Sequence, residues 1–351
     1  MPDIGMNSRK KGILQAITED YVSTAEPVGS RTLSRKYLTE LSPATIRNEM
    51  ADLEYEGYLE QPHTSAGRVP SEKGYRFYVD VLMKDRPIAE EDIRRVLTEY
   101  DRRRGEIQSL SRAAAKVLAE LANCAAVVLS PGMQCGIIKH VQLAILSSAD
   151  IMMIVMTSSG AIEHRIIRLE NSLSQGDLDR VTAILNRHLR NLSFSELSRK
   201  VIRDIKAELA AYSELVSQAL DILTSPAMCT PEDRVHTEGI ANFLGQPEFQ
   251  QIERARPVLR LLESQSHLMS LMSEGYDSAI RVRIGSESKV EELKDCSIVT
   301  ASYGQGGRPL GTIGVVGPTR MDYSKAIALV RFMAEGISEL LDRASSDKGG
   351  K

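Results

Sequence analysis

Three polar side chains set close together carry the most specific chemistry in this chain. Thr45, Arg47 and Asn48 stand near the start of the stretch Ser42-Pro43-Ala44-Thr45-Ile46-Arg47-Asn48-Glu49-Met50-Ala51-Asp52-Leu53-Glu54. Side chains of these types hydrogen-bond base edges and phosphates when the helix that carries them enters a major groove. Arg68, directly after Gly67, could reach a nucleic-acid backbone or minor groove from a hairpin, and Arg31 and Lys73 complete the candidate DNA-binding set. Each has an ordinary alternative: Arg47 and Asn48 as solvated helix surface, Thr45 as a helix-start residue, Arg68 as a partner for a nearby carboxylate.

The elements that must position these residues favour the DNA reading. Ser42 can accept a hydrogen bond from the free amides of a first turn, and Pro43 gives up an N–H that would have no partner there, so a helix starts at this point. Ile46, Met50 and Leu53 fall at i, i+4 and i+7, which puts a core on one face and leaves the polar trio on the other. Upstream, Ser8 to Tyr21 predicts a helix capped by Ser8, with Ile13, Leu14 and Ile17 inward; Pro27-Val28-Gly29 breaks it, and Ser30 caps a second helix to about Leu38. Three short helices in tight succession, the third polar at its N-terminal end, make a helix-turn-helix unit. Tyr58 to Gln61 and Arg68 to Pro70, joined through Ser65-Ala66-Gly67 with a glycine free to take positive φ, predict a hairpin wing, and Ser71 with Glu72 starts one more helix.

Composition shifts at Asp85, and residues 88–122 read as two helical segments around Asp101-Arg102-Arg103-Arg104-Gly105, a solvated linker face or a phosphate-contacting patch. Strands are predicted at 125–129, 139–146, 151–156 and 161–167, helices at 178–189 and 195–223, a further helical block at 235–275, strands at 278–284, 297–303 and 310–316, and a last helix at 323–341. Strand blocks on either side of a long helical block predict a multidomain α+β chain in which one domain is interrupted, not a doubly wound parallel sheet. The expected division is 1–84 for the DNA-binding unit, 85–122 for a helical linker and dimerisation segment, 123–190 with 276–343 for the interrupted domain, 191–275 for a mainly helical insertion, and 344–351 for a disordered tail.

Other chemistries find little footing. Gly304-Gln305-Gly306-Gly307 lies between two predicted strands, where a hairpin turn fits and a phosphate loop does not, because such a loop must open a helix. The chain has no Gly-x-Ser-x-Gly elbow and no His-Glu-x-x-His. Its six histidines are scattered; His140 and His164 fall in strands that could be neighbours but lack a third ligand. Cys124, Cys135, Cys229 and Cys296 are far apart, which signals neither a disulfide framework nor a zinc site and fits a reducing cytoplasm. No catalytic residue, cofactor or metal is assigned. The run Val141 to Ile162 carries Asp150 as its one charge, but Ser147-Ser148-Ala149-Asp150 and Ser158-Ser159-Gly160 cut it into pieces of strand length, so no membrane segment is expected. Net charge is −3, and the first 80 residues hold ten Lys and Arg against twelve Asp and Glu. A DNA reading therefore rests on where the basic residues sit.

The stretch Ser42 to Glu54, followed by Gly57-Tyr58-Leu59 and His63-Thr64-Ser65-Ala66-Gly67-Arg68-Val69-Pro70, closely resembles the bacterial heat-inducible transcription repressor family HrcA. The likeness continues through Lys139-His140-Val141-Gln142 and Gly314-Val315-Val316-Gly317-Pro318-Thr319-Arg320-Met321-Asp322-Tyr323. It implies an N-terminal winged helix, a GAF-like domain interrupted by an inserted helical domain, and a homodimer on an inverted-repeat operator upstream of chaperone operons. It also implies that the GroE chaperonin favours the active repressor, so that heat-damaged protein relieves repression by occupying the chaperonin. The runner-up is a metabolite-responsive winged-helix regulator whose GAF-like cavity is the effector site.

Overall fold

The computed structural model describes residues 6–63, 66–102, 107–131, 137–158, 162–224, 234–273 and 280–346. The chain begins with α1 (Ser8–Thr24), capped by Asn7, whose side chain accepts from the Lys10 amide at 2.8 Å; the cap is thus one residue earlier than Ser8. In α2 (Ser30–Lys36) the capping position is Gly29, and Ser30 is the first buried helical residue. As the sequence predicts, α3 (Pro43–Tyr55) starts on Ser42, whose hydroxyl accepts from the Thr45 amide at 3.1 Å. Ile13, Leu14, Ile17, Leu33, Ile46, Met50 and Leu53 close a small core between the three helices.

A two-stranded antiparallel ribbon, β1 (Leu59–Glu60) with β2 (Val69–Pro70), follows. Thr64 and Ser65 of its expected turn lie outside the described residues. Gly67 does not use positive φ. It is there because a Cβ would stand 2.4 Å from the Val28 carbonyl oxygen, where the ribbon bridges back to Val28 through Arg68. Next comes α4 (Glu72–Phe77), capped by Ser71, and a π-helical turn at Tyr78–Leu82.

The rest of the chain runs α5 (Glu90–Arg102), α6 (Ile107–Ala122), β3 (Ala125–Leu129), β4 (Ile138–Ile145), β5 (Asp150–Thr157), β6 (Ile162–Arg168), α7 (Gln175–Leu189), α8 (Arg199–Glu208), α9 (Ser213–Thr224), β7 (Val235–Glu238), α10 (Ile240–Leu244), α11 (Ile252–Glu263), α12 (Gln265–Ser273), β8 (Arg281–Ile284), β9 (Cys296–Gln305), β10 (Arg308–Pro318) and α13 (Tyr323–Ser346). An antiparallel sheet in the order β7-β3-β10-β9-β8 forms the centre. On one face Val128, Val299, Tyr303, Ile313 and Val315 meet Leu118, Val330 and Met333 of α6 and α13. On the other, Val127, Leu129, Ile298 and Val316 meet Phe243, Val258, Leu262 and Leu268 of α10–α12.

A second sheet, β4-β5-β6, is separate, and its buried face shares a core with α7, α8 and α9. This differs from the expected division. Of the strands placed at 123–190 in the interrupted domain, β3 alone joins the central sheet, so the interrupting unit spans about 137–224 and is itself α+β. Residues 235–275, expected in a helical insertion, return to the central sheet through β7, which pairs with β3. Periodicity marks a strand but not its hydrogen-bond partner, and the partner is what assigns it to a unit. The tail also begins later than expected, since Ala344 to Ser346 complete α13; residues 347–351 lie outside the described residues.

Candidate nucleic-acid interface

The six candidate residues fall into two groups. Arg31 on α2, and Arg47 and Asn48 on α3, are exposed, and no ion pair engages the two arginines among the described residues. Thr45 is half-buried, with its hydroxyl 2.9 Å from the Ser42 hydroxyl, so it helps to build the start of α3. The other two are tied to the end of α3. Arg68 Nε donates to Glu54 Oε2 at 2.8 Å, and its backbone exchanges two hydrogen bonds of 2.9 Å with Val28. Lys73 Nζ donates to the Glu56 carbonyl at 2.8 Å and sits 4.2 Å from the Tyr58 ring centroid. Arg68 is therefore a carboxylate partner that fastens the ribbon to α3, the ordinary alternative open to it from sequence, and Lys73 satisfies an orphan carbonyl at the C-terminal end of the same helix.

Several carboxylates of this unit, those along α3 above all, are engaged internally. Glu49 pairs with Arg9 at 3.3 Å, and Glu56 and Asp52 both hold Lys10, at 2.6 and 3.4 Å. Asp20 is buried and takes hydrogen bonds from Lys36 at 2.5 Å and Tyr37 at 2.8 Å. Its desolvation pulls the carboxyl pKa up, but those two donors outweigh it and leave the group below its ordinary 3.8. Arg9, Lys10, Lys36 and Arg68 are thus engaged by carboxylates inside the unit, whereas Arg31 and Arg35 on α2 and Arg47 on α3 carry no ion pair among the described residues. That arrangement suits phosphate and guanine, both of which need a cation not already engaged.

The remaining sequence candidates are dispersed. His140 on β4 and His164 on β6 are held apart by β5, opposite Met156 and Ile154. Cys124 and Cys296 are buried free thiols, and burial pushes Cys124 up to about 12, which makes it a small apolar residue and a poor nucleophile; Cys135 and Cys229 lie outside the described residues. Arg102 is exposed at the end of α5, and Arg103 and Arg104 lie outside the described residues. Gly306 and Gly307 form the β9–β10 hairpin turn, and Gly304 lies in β9, paired with Pro309. Among the described residues no group of three or more His, Cys, Asp or Glu is placed to hold a metal, and no helix is long and apolar enough to cross a membrane.

The family model of the HrcA protein C-terminal domain matches residues 108–327. The chain belongs to the HrcA family. The heat-inducible transcription repressor HrcA of Pelotomaculum thermopropionicum is 40% identical over 339 residues, 96% of this chain and 97% of that protein. That of Desulforudis audaxviator is 40% identical over 342 residues, 97% and 99% of the two chains. A crystal structure of a hypothetical protein shares the fold at a TM-score of 0.65 with 24% identity, covering 97% of this chain and all of that one. HrcA proteins are transcription repressors, which is not an enzyme class.

In this HrcA chain the sequence reading missed Arg35. It is exposed on α2 one turn beyond Arg31, and no ion pair engages it among the described residues. The signal was present as an i, i+4 pair of arginines on the face of α2 opposite Leu33.

Proposed function

We propose that this chain is a winged-helix repressor in which α3 is the recognition helix and the β1–β2 ribbon the wing, followed by a GAF-like domain built on the five-stranded sheet and interrupted by the β4–α9 unit. Two copies bind an inverted-repeat operator of chaperone genes, one recognition helix per half-site, and repress by occupying the promoter. The observation that carries this reading is that Arg31 and Arg35 on α2 and Arg47 on α3 are exposed and without an ion pair among the described residues, with Asn48 exposed beside Arg47, whereas Arg9, Lys10, Lys36 and Arg68 of the same unit are held by carboxylates. Arg47 and Asn48 read bases, Arg31 and Arg35 hold phosphates, and Thr45, Arg68 and Lys73 act through the placement of α3 and the ribbon. Support for a pair of copies comes from the outward face of β4-β5-β6, where Met156, Ile162 and Ile166 are exposed. Release on heat stress through chaperonin occupancy follows from the family resemblance. The metabolite-sensor alternative gains no support from the central sheet, both of whose faces are filled by packed side chains.

The test is binding of the purified chain to a labelled duplex carrying the inverted repeat, beside one with a single half-site scrambled, over a salt series with and without chaperonin. Tight binding to the intact repeat alone, weakening with salt, is the expected result. Equal weak binding to both duplexes under every condition would refute it.

A further inference from the structure

The DNA-binding unit is joined to the rest of the chain by contacts that base recognition does not use. Adjacent residues of α4 face opposite ways. A Cβ at Gly74 would stand 2.2 Å from the Tyr58 carbonyl oxygen, so the helix rests directly on the backbone that enters β1. Tyr75 instead drives its ring into the core beneath the central sheet, 2% exposed and 5.8 Å from the ring of Tyr323. Its hydroxyl is buried and has no hydrogen-bond partner among the described residues.

Charged clamps hold this plug from two elements. On α4, Arg76 Nε donates to Glu287 Oε1 at 2.8 Å and Nη2 to Oε2, a two-pronged grip, while Nη2 also donates to the Val282 carbonyl at 2.9 Å. Glu72 accepts from the Ser286 amide at 3.1 Å and from its hydroxyl at 2.5 Å. On α1, the Val22 carbonyl accepts from Arg320 Nη1 at 3.0 Å; the same guanidinium holds Glu248 and, at 3.1 Å, Gln246 Oε1. The Arg320 side chain is only 12% exposed.

We propose that the Arg76–Glu287 and Arg320–Val22 clamps, with Tyr75 between them, form a positioning device that holds the DNA-binding unit in one orientation on the central domain. The spacing at which a pair of copies can present two recognition helices is then set by these side chains together with the 83–89 linker, whose Lys84 carbonyl accepts from the Ser324 hydroxyl at 2.9 Å. This rests on the DNA-binding reading proposed above. One clamp would leave the unit free to swivel about it; two clamps on different helices, plus a buried ring, remove that rotation. The clamped state is the binding state, because Arg31, Arg35, Arg47 and Asn48 all stay exposed in it. The orphaned hydroxyl gives the device a built-in opposition, since an unpaired buried O–H disfavours the docked state that the clamps favour.

The experiment titrates the full chain against inverted repeats whose spacers differ by single base pairs, for wild type, Glu287→Ala, Arg320→Ala and Tyr75→Phe, each checked for folding by circular dichroism. Amide hydrogen exchange of residues 72–77 and 284–288 without DNA is followed in parallel. Glu287→Ala and Arg320→Ala should lose about three- to tenfold in affinity at the preferred spacer, the scale of one charge-assisted contact, and little at the others. Exchange at both segments should quicken in Glu287→Ala and slow in Tyr75→Phe, which should also sharpen the spacer preference. Folded variants with wild-type spacer preference and wild-type exchange would overturn the proposal, as would Tyr75→Phe behaving like Glu287→Ala. If Glu287→Ala or Arg320→Ala does not fold, Glu72→Gln, which weakens the hold on Ser286, takes its place with the signs expected of Glu287→Ala. Wild type failing to bind any repeat would sink the DNA-binding reading instead, and the exchange arm would still decide whether the clamps hold the unit.

Discussion

At Arg47 a guanidinium with no ion pair among the described residues can turn to a guanine edge, whereas Arg68 would first have to leave Glu54. Arg47→Ala should therefore weaken operator binding by about 1–3 kcal/mol and relax discrimination at one base position, measured by titration against single-base operator variants. Arg35→Ala should weaken binding evenly across sequences and lower the slope of log affinity against log salt by about one, the behaviour of a phosphate contact. If Arg35→Ala left both the affinity and that slope unchanged, the residue would lie outside the interface. Asp20 offers a test of stability. Its burial raises the carboxyl pKa, the Lys36 and Tyr37 donors lower it further than that, and the folded value lies below the ordinary 3.8. The stabilisation is thus present above the ordinary carboxylate range and lost as pH falls through the folded value. Asp20→Asn should flatten the fall in melting temperature below about pH 4 relative to wild type, since the group that titrates there is gone. An unchanged acid limb would remove Asp20 from the linkage.

Among the elements, α7 shows how a single polar residue can staple a helix to a sheet. Asn186 accepts from the Val141 amide at 2.8 Å and donates to the Val141 carbonyl at 2.7 Å, so it pairs both backbone groups of one β4 residue. Asn186→Ala leaves those groups without partners in a half-buried seam and should cost about 1–3 kcal/mol, read by chemical denaturation, with DNA binding per folded molecule unchanged. At α3 the legible signals were local ones: Ser42, Pro43 and the Ile46-Met50-Leu53 spacing predicted its start and its inner face, and both are observed. β7 lies in a block that the sequence pattern marked as helical. Val235-His236-Thr237-Glu238 is an edge strand with half-buried polar residues, and nothing in its pattern separates it from the helical run that follows.

For the whole molecule, the outward face of the β4-β5-β6 sheet is the surface on which pairing of copies is proposed and can be tested. Ile166 is 60% exposed and Ile162 53%, opposite Met152 and Met156 in the register, an apolar strip along two strands that His164, opposite Ile154, interrupts on β6. Ile166→Glu should shift the chain toward monomer in sedimentation or light scattering and reduce binding to the intact repeat more than to a half-site; unchanged mass and binding would place the contact elsewhere. The division between the two sheets had a trace in the sequence. Ala125-Ala126-Val127-Val128-Leu129 is apolar without interruption, as suits a strand covered on both faces, and β4 and β6 mix charged and polar residues with apolar ones; β5, apolar from Ile151 to Met156, carries no such mark, and its alternation appears only in burial. What the sequence by itself determined were features written in neighbouring residues: the helix starts, the apolar faces, the turn at Gly306-Gly307 and the polar trio on α3. The tertiary structure alone decided which strands pair, which cations are already engaged by carboxylates, and how Tyr75, Arg76 and Arg320 seat one unit on another. Each of those depends on groups brought together from distant positions, such as Arg76 with Glu287 or Arg320 with Val22, and no local spacing encodes which of many equivalent carboxylates or carbonyls an arginine will meet.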